Sequence, residues 1–125
     1  MVSNSRNSYW STVASLIGEG QNVFLAMVAE HTRHSPGTTG AKLLVAKNKD
    51  PVGTIGGGIM EYTLLKRAKD ILETGSYTPE IQTLSHRTSG PEEKSGMICA
   101  GKQTNLYYLC RPKKDGETVQ RIVHL

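Results

Sequence analysis

Long apolar runs, paired cysteines and aromatic residues are all scarce in this chain, and each scarcity removes a class of function. No stretch approaches the roughly 18–20 consecutive apolar residues of a membrane span. The segment Met1-Val2-Ser3-Asn4-Ser5-Arg6 lacks the apolar core of a secretory signal. Cys99 and Cys110 do not make a disulfide framework, and no C-x-x-C pair is present for zinc or redox work. These absences point to a reducing cytoplasm. One Trp, one Phe and five Tyr are not interleaved with a basic stripe, which speaks against nucleic acid as a partner. No Ser-His-Asp or paired-carboxylate arrangement stands out, so self-sufficient hydrolysis has little support. His31 and His34 lie close together but lack a third ligand at metal spacing.

What the chain does have is ordinary globular chemistry, with 125 residues of which 37% are hydrophobic and 21% charged. That is enough for one domain with its own core. The formal charge of +4 is spread along the sequence in short pairs such as Lys66-Arg67 and Lys113-Lys114. It suits an anionic small ligand, an acidic partner or plain solubility.

Trp10, Val13, Ala14 and Ile17 have helical spacing, and Gly18 or Gly20 suits the stop. Asn22 to Glu30 is a near-continuous apolar run, short enough for a buried strand. After the polar loop His31 to Gly40, strands are predicted at Lys42 to Ala46 and from Val52 to Ile55. A helix is predicted from about Ile59 to Thr74, with Ile59, Tyr62, Leu65, Ala68 and Leu72 on its apolar stripe and Gly75 as its stop. Glu80 to His86 and Gln103 to Cys110 read as strands, with Cys110 in the core. Lys113-Lys114-Asp115-Gly116 reads as a turn into a last strand, Thr118 to His124. The order implies an α/β or α+β fold: a single domain with a mixed sheet, two principal helices and a C-terminal antiparallel hairpin.

The most informative segment is Gly53-Thr54-Ile55-Gly56-Gly57-Gly58, which runs into the second helix. Glycine costs roughly 0.5–1 kcal/mol relative to alanine inside regular structure. Three in a row therefore call for a reason beyond packing. Bare N–H groups at a helix N-terminus favour an anion, usually phosphate; a tight strand-to-helix turn explains the glycines equally well. Glu61, in the first helical turn, reads first as a structural residue bonding back to a free N–H. Two further glycine-rich loops, His34 to Ala41 and Gly96 to Gly101, also adjoin predicted strands, so all three are expected to gather at one sheet edge.

Taken together, these segments resemble the N-terminal domain of the XdhC/CoxI family, accessory factors that mature xanthine dehydrogenase and carbon-monoxide dehydrogenase. The family's S-S-P-R-x-x-G-A-x-M-x-V is matched by His34 to Val45, with His34, Gly37 and Leu43 replacing its first Ser, its Arg and its Met. Its G-T-I-G-G-G-x-x-E is matched fully by Gly53 to Glu61, and its G-M-x-C-G-G by Gly96 to Gly101, with Ala100 for one Gly. The three segments fall in the family's order and spacing.

The resemblance implies a non-catalytic chaperone that carries the molybdenum cofactor, as molybdopterin or its dinucleotide form, to an apo-molybdenum hydroxylase. It implies a homodimer working with a cysteine desulfurase, and no membrane. The implied cofactor-binding residues are Ser35, Gly40, Gly56, Gly57, Gly58, Glu61, Cys99 and Gly101. Cys99 is the candidate molybdenum contact or persulfide carrier. The Rossmann-type C-terminal domain that many relatives add is absent from this sequence, and Gly37 removes an Arg able to hold phosphate bidentately. Two other classes stay open: a cysteine-dependent sulfur transferase using Cys99 as nucleophile, and a dimeric scaffold or regulatory module.

Overall fold

The structure, a computed structural model, describes residues 5–86 and 101–125. The elements in chain order are α1 (Ser5–Gly18), β1 (Val23–His31), β2 (Lys42–Val45), β3 (Val52–Gly53), α2 (Gly58–Thr74), β4 (Glu80–His86), β5 (Gly101–Cys110) and α3 (Pro112–Val123). The strands form one sheet in the order β3-β2-β1-β5-β4, with every pairing antiparallel. The α/β reading holds, but the expected mixed sheet is antiparallel throughout.

The first strand sits at the centre of the sheet, which explains its almost unbroken apolar run. Its alternate residues enter two different cores. Val23 and Leu25 pack with Tyr9, Trp10, Val13 and Ile17 of α1 and Val119 of α3. Phe24, Ala26 and Val28 pack with Leu64, Ala68 and Leu72 of α2 on the opposite face. Helices therefore cover both sides of the sheet. The Tyr9 hydroxyl donates to the Leu43 carbonyl at 2.9 Å, tying α1 to β2 within the core. No helix among the described residues is long and apolar enough to cross a membrane.

Two expectations need correction. The C-terminal segment forms α3 rather than a hairpin strand. Pro112 sits in the first turn, where its missing N–H costs nothing. Asp115 accepts hydrogen bonds from the Arg111 amide at 2.8 Å and the Tyr108 hydroxyl at 2.6 Å, fixing the helix start against β5. Gly116, which imitates a turn residue in sequence, lies inside α3 facing α1, where a Cβ would make an ordinary contact with Ile17 at 3.8 Å. The second correction concerns the roll of α2. Leu64, Ala68 and Leu72 are buried, whereas Ile59 and Tyr62 are 84% and 60% exposed. The i, i+4, i+8 row wins because Glu61 turns back to the preceding loop and pins the first turn. Gly75 ends α2 in the left-handed conformation, as expected.

Candidate functional site

The glycine segments converge where the ends of β3 and β5 meet the loop after β1. A Cβ on Gly37 would lie 2.2 Å from the Ile55 carbonyl oxygen. On Gly56 it would lie 2.7 Å from the Gly37 nitrogen, and on Gly101 it would lie 2.3 Å from the Ser35 nitrogen. No side chain fits at such distances, so backbone rests directly on backbone at all three contacts. The expected gathering of the loops is therefore seen for residues 34–41, 53–58 and Gly101. Residues 96–100, Cys99 among them, lie outside the described residues.

Gln103 fastens this contact from below. It is buried at 1% exposure, accepts the Gly37 N–H at 2.9 Å and donates to the Ile55 carbonyl at 2.9 Å. Because an N–H only donates and a carbonyl only accepts, these two partners determine the amide's orientation. The same nitrogen reaches Asn105 Oδ1 at 3.0 Å; Asn105 Nδ2 donates to the Tyr107 hydroxyl at 3.2 Å, which donates to Gln82 Oε1 at 3.0 Å. A buried polar row thus runs down one face of β5, with Met60 of α2 against Asn105. Sequence reading missed this row. The only signal was polar residues recurring at every second position, 103 and 105, on a strand whose inner face is otherwise apolar.

Glu61 holds the glycine turn from above. One carboxylate oxygen accepts from the Thr54 hydroxyl at 2.6 Å, the Ile55 amide at 2.8 Å and the Gly57 amide at 3.0 Å. Burial pushes its pKa up, but the Thr54 hydroxyl and the two amides outweigh that and leave it below the usual carboxylate value. Its role is the structural one first read from the sequence. Gly56 is also engaged, donating its N–H to the Thr54 hydroxyl at 3.0 Å. Gly57 and Gly58 differ. Both have positive φ, 73° and 69°, and no described residue lies within 4 Å of where their Cβ atoms would sit. α2 receives no side-chain cap from Gly57 at its N-cap. Its first-turn amides at Gly58, Ile59 and Met60 have no acceptor among the described residues.

The other expected site residues act within the scaffold. The Ser35 hydroxyl donates to the Gly37 carbonyl and shapes the turn. Gly40 donates to the Val28 carbonyl at 2.9 Å, at the bulge in β1. The Thr39 amide donates to His31 Nδ1 at 2.9 Å, so that nitrogen must carry a lone pair and is spent on the loop. The described residues hold no group of three His, Cys, Asp or Glu able to bind a metal. Cys110 is buried, and burial together with nearby Asp115 pushes its thiol up to about 12, which makes it an inert core residue.

The model of the XdhC and CoxI family matches residues 16–84, more than half of the chain. The chain belongs to the XdhC and CoxI family. The matched stretch includes the loop 34–41, the glycine turn and α2 of this XdhC/CoxI domain. Among solved structures it is similar to one described as a xanthine dehydrogenase from Bacillus halodurans, at a TM-score of 0.65 and 17% identity. The likeness covers 92% of this chain and 34% of that one, so the XdhC/CoxI domain described here spans about a third of that protein's length. It establishes a shared fold. No curated protein matches significantly.

Proposed function

We propose that this domain binds the molybdenum cofactor as cargo and serves the maturation of a molybdenum hydroxylase such as xanthine dehydrogenase. Family membership supports the class of client. The observation that carries the binding reading is the start of α2, open among the described residues: two glycines with no described neighbour where a Cβ would sit, three amides without a described acceptor, and the nearby carboxylate turned inward to the loop. The positive end of a helix with bare backbone suits the terminal phosphate of a phosphorylated pterin.

In this reading the amides of Gly58, Ile59 and Met60 hold the phosphate. Gly56, Ser35, Gly37 and Gly101 shape the wall, and Gln103 and Glu61 keep the turn in place. Cys99, two residues before Gly101 in sequence, is assigned the sulfur contact. The setting is cytoplasmic, with a cysteine desulfurase as the source of sulfur and a second copy of the chain as partner.

The test is retention of cofactor. Wild type, Gly58→Val and Cys99→Ser are mixed with molybdenum cofactor released from a molybdoenzyme, desalted and assayed for bound molybdenum and pterin. Wild type should retain both. Gly58→Val, which strains a left-handed position and fills the open space, should retain at least about tenfold less. Cys99→Ser should retain pterin but lose the sulfurated fraction. Failure of wild type to retain pterin refutes the proposal. Because Cys110 is buried in the core, alkylation of the folded protein at neutral pH is expected to report Cys99.

A further inference from the structure

A second basic feature lies along α2, away from the glycine turn. The segment between β2 and β3 and the exposed side of α2 enclose a groove of about 1020 Å³. Four lysines line it: Lys47 and Lys49 from the segment, Lys66 and Lys69 from the helix. Among the described residues the sole ion pair within 4 Å is Arg67 with Glu80, so none of these four lysines makes a direct salt bridge there. Tyr62 opens onto the same groove and is 60% exposed, with Lys66 Nζ 4.9 Å from the ring centroid. A largely exposed aromatic ring thus shares the groove with an excess of positive charge. Leu65, Leu72 and Pro51 add apolar lining, and two carboxylates, Asp50 and Glu73, are also among the lining residues.

We propose that this groove binds a nucleoside phosphate, with the base stacked on Tyr62 and the phosphates among the four lysines. Each feature matches a part of that ligand. An aromatic face accepts any base by stacking, and the ammonium groups complement the phosphate charge. The carboxylates are acceptors for ribose hydroxyls, chemistry that a polyanion without sugar would not use. The volume is at the upper end of small-molecule sites, roughly 300–1,000 Å³. The ligand's source is either a free nucleotide or the nucleotide end of a longer cofactor. The proposal stands on residues that the glycine-turn reading does not use.

The experiment is calorimetric titration of wild type with ADP, CDP and GDP, with inorganic pyrophosphate and with NAD as a dinucleotide, at moderate salt. Saturable nucleotide binding with Kd below about 1 mM is expected, and pyrophosphate should bind at least about fivefold more weakly for want of the stack. Tyr62→Ala should weaken the nucleotides by about fivefold or more and leave pyrophosphate unchanged. Lys66→Ala with Lys69→Ala should weaken both probes by at least about tenfold. NAD binding tighter than ADP marks the end of a longer cofactor; the reverse marks a free nucleotide. Gly58→Val should leave all of these values in place, which separates this site from the cofactor cradle. Absence of saturable binding, pyrophosphate binding as tightly as CDP, or an inert Tyr62→Ala each overturns the proposal. All the substituted side chains are at the surface, and circular dichroism confirms that the variants are folded.

Discussion

Replacing Gln103 with leucine isolates the contribution of the buried amide that joins the two site loops. The substitution keeps the volume nearly constant but leaves the Gly37 N–H, the Ile55 carbonyl and Asn105 Oδ1 without their partner. Each orphaned buried group costs about 1–3 kcal/mol. Relaxation of the loops toward water keeps the sum near the low end, so about 3–5 kcal/mol is expected for Gln103→Leu. Against a total stability of about 5–15 kcal/mol for a domain of this kind, that is a large fraction. At about 3 °C per kcal/mol, the midpoint should fall by about 9–15 °C. Urea unfolding of both proteins, fitted with a common slope, measures the difference. Gln103→Glu sharpens the test. Protonated, the new side chain can still donate to Ile55 or Asn105; ionised, it turns an acceptor toward acceptors. Its folded pKa must therefore lie above the unfolded value of about 4.3. The variant should be near wild type below that pH and lose stability as pH rises from there to the folded pKa. A Gln103→Leu penalty under about 1 kcal/mol, or a pH-independent Gln103→Glu, would refute the reasoning.

Glu61 gives the opposite pH behaviour. Its folded pKa lies below the ordinary 4.5, so its stabilisation is complete above that value and disappears as pH falls through the folded pKa. Glu61→Gln should remove that acid-side slope and cost about 1 kcal/mol at neutral pH, read from urea midpoints across the acid range. Gly37→Ala should destabilise by about 3 kcal/mol or more, because the clash is with a backbone carbonyl 2.2 Å away that Gln103 already holds. Gly37→Arg, which restores the residue type of the family motif, should fare no better, since the collision begins at Cβ. Thermal melts of both variants check this.

Most of the scaffold was legible because its signals are local. The apolar run at 23–28, the stops at Gly18 and Gly75 and the strand leading to Cys110 each announce themselves within a dozen residues. The gathering of the glycine loops was legible too, from their positions beside strands. What escaped depends on distant partners. Nothing near Gln103 in sequence tells that Gly37 and Ile55 will meet above it. Nothing near Gly116 tells that it will lie inside a helix packed on α1 rather than in a turn. The roll of α2 was misjudged for a related reason: two apolar rows compete on that helix, and a hydrogen-bonded carboxylate outside both decides between them.

The central pair of the sheet joins β1, near one end of the chain, to β5, near the other. During synthesis β1 therefore waits with one hydrogen-bonding edge unfilled until residues 101–110, some seventy positions later, have emerged. Such long-range closure slows folding and prolongs exposure of a sticky apolar strand. Nascent chains stalled before residue 101 should be protease-sensitive and need protection by ribosome-associated chaperones.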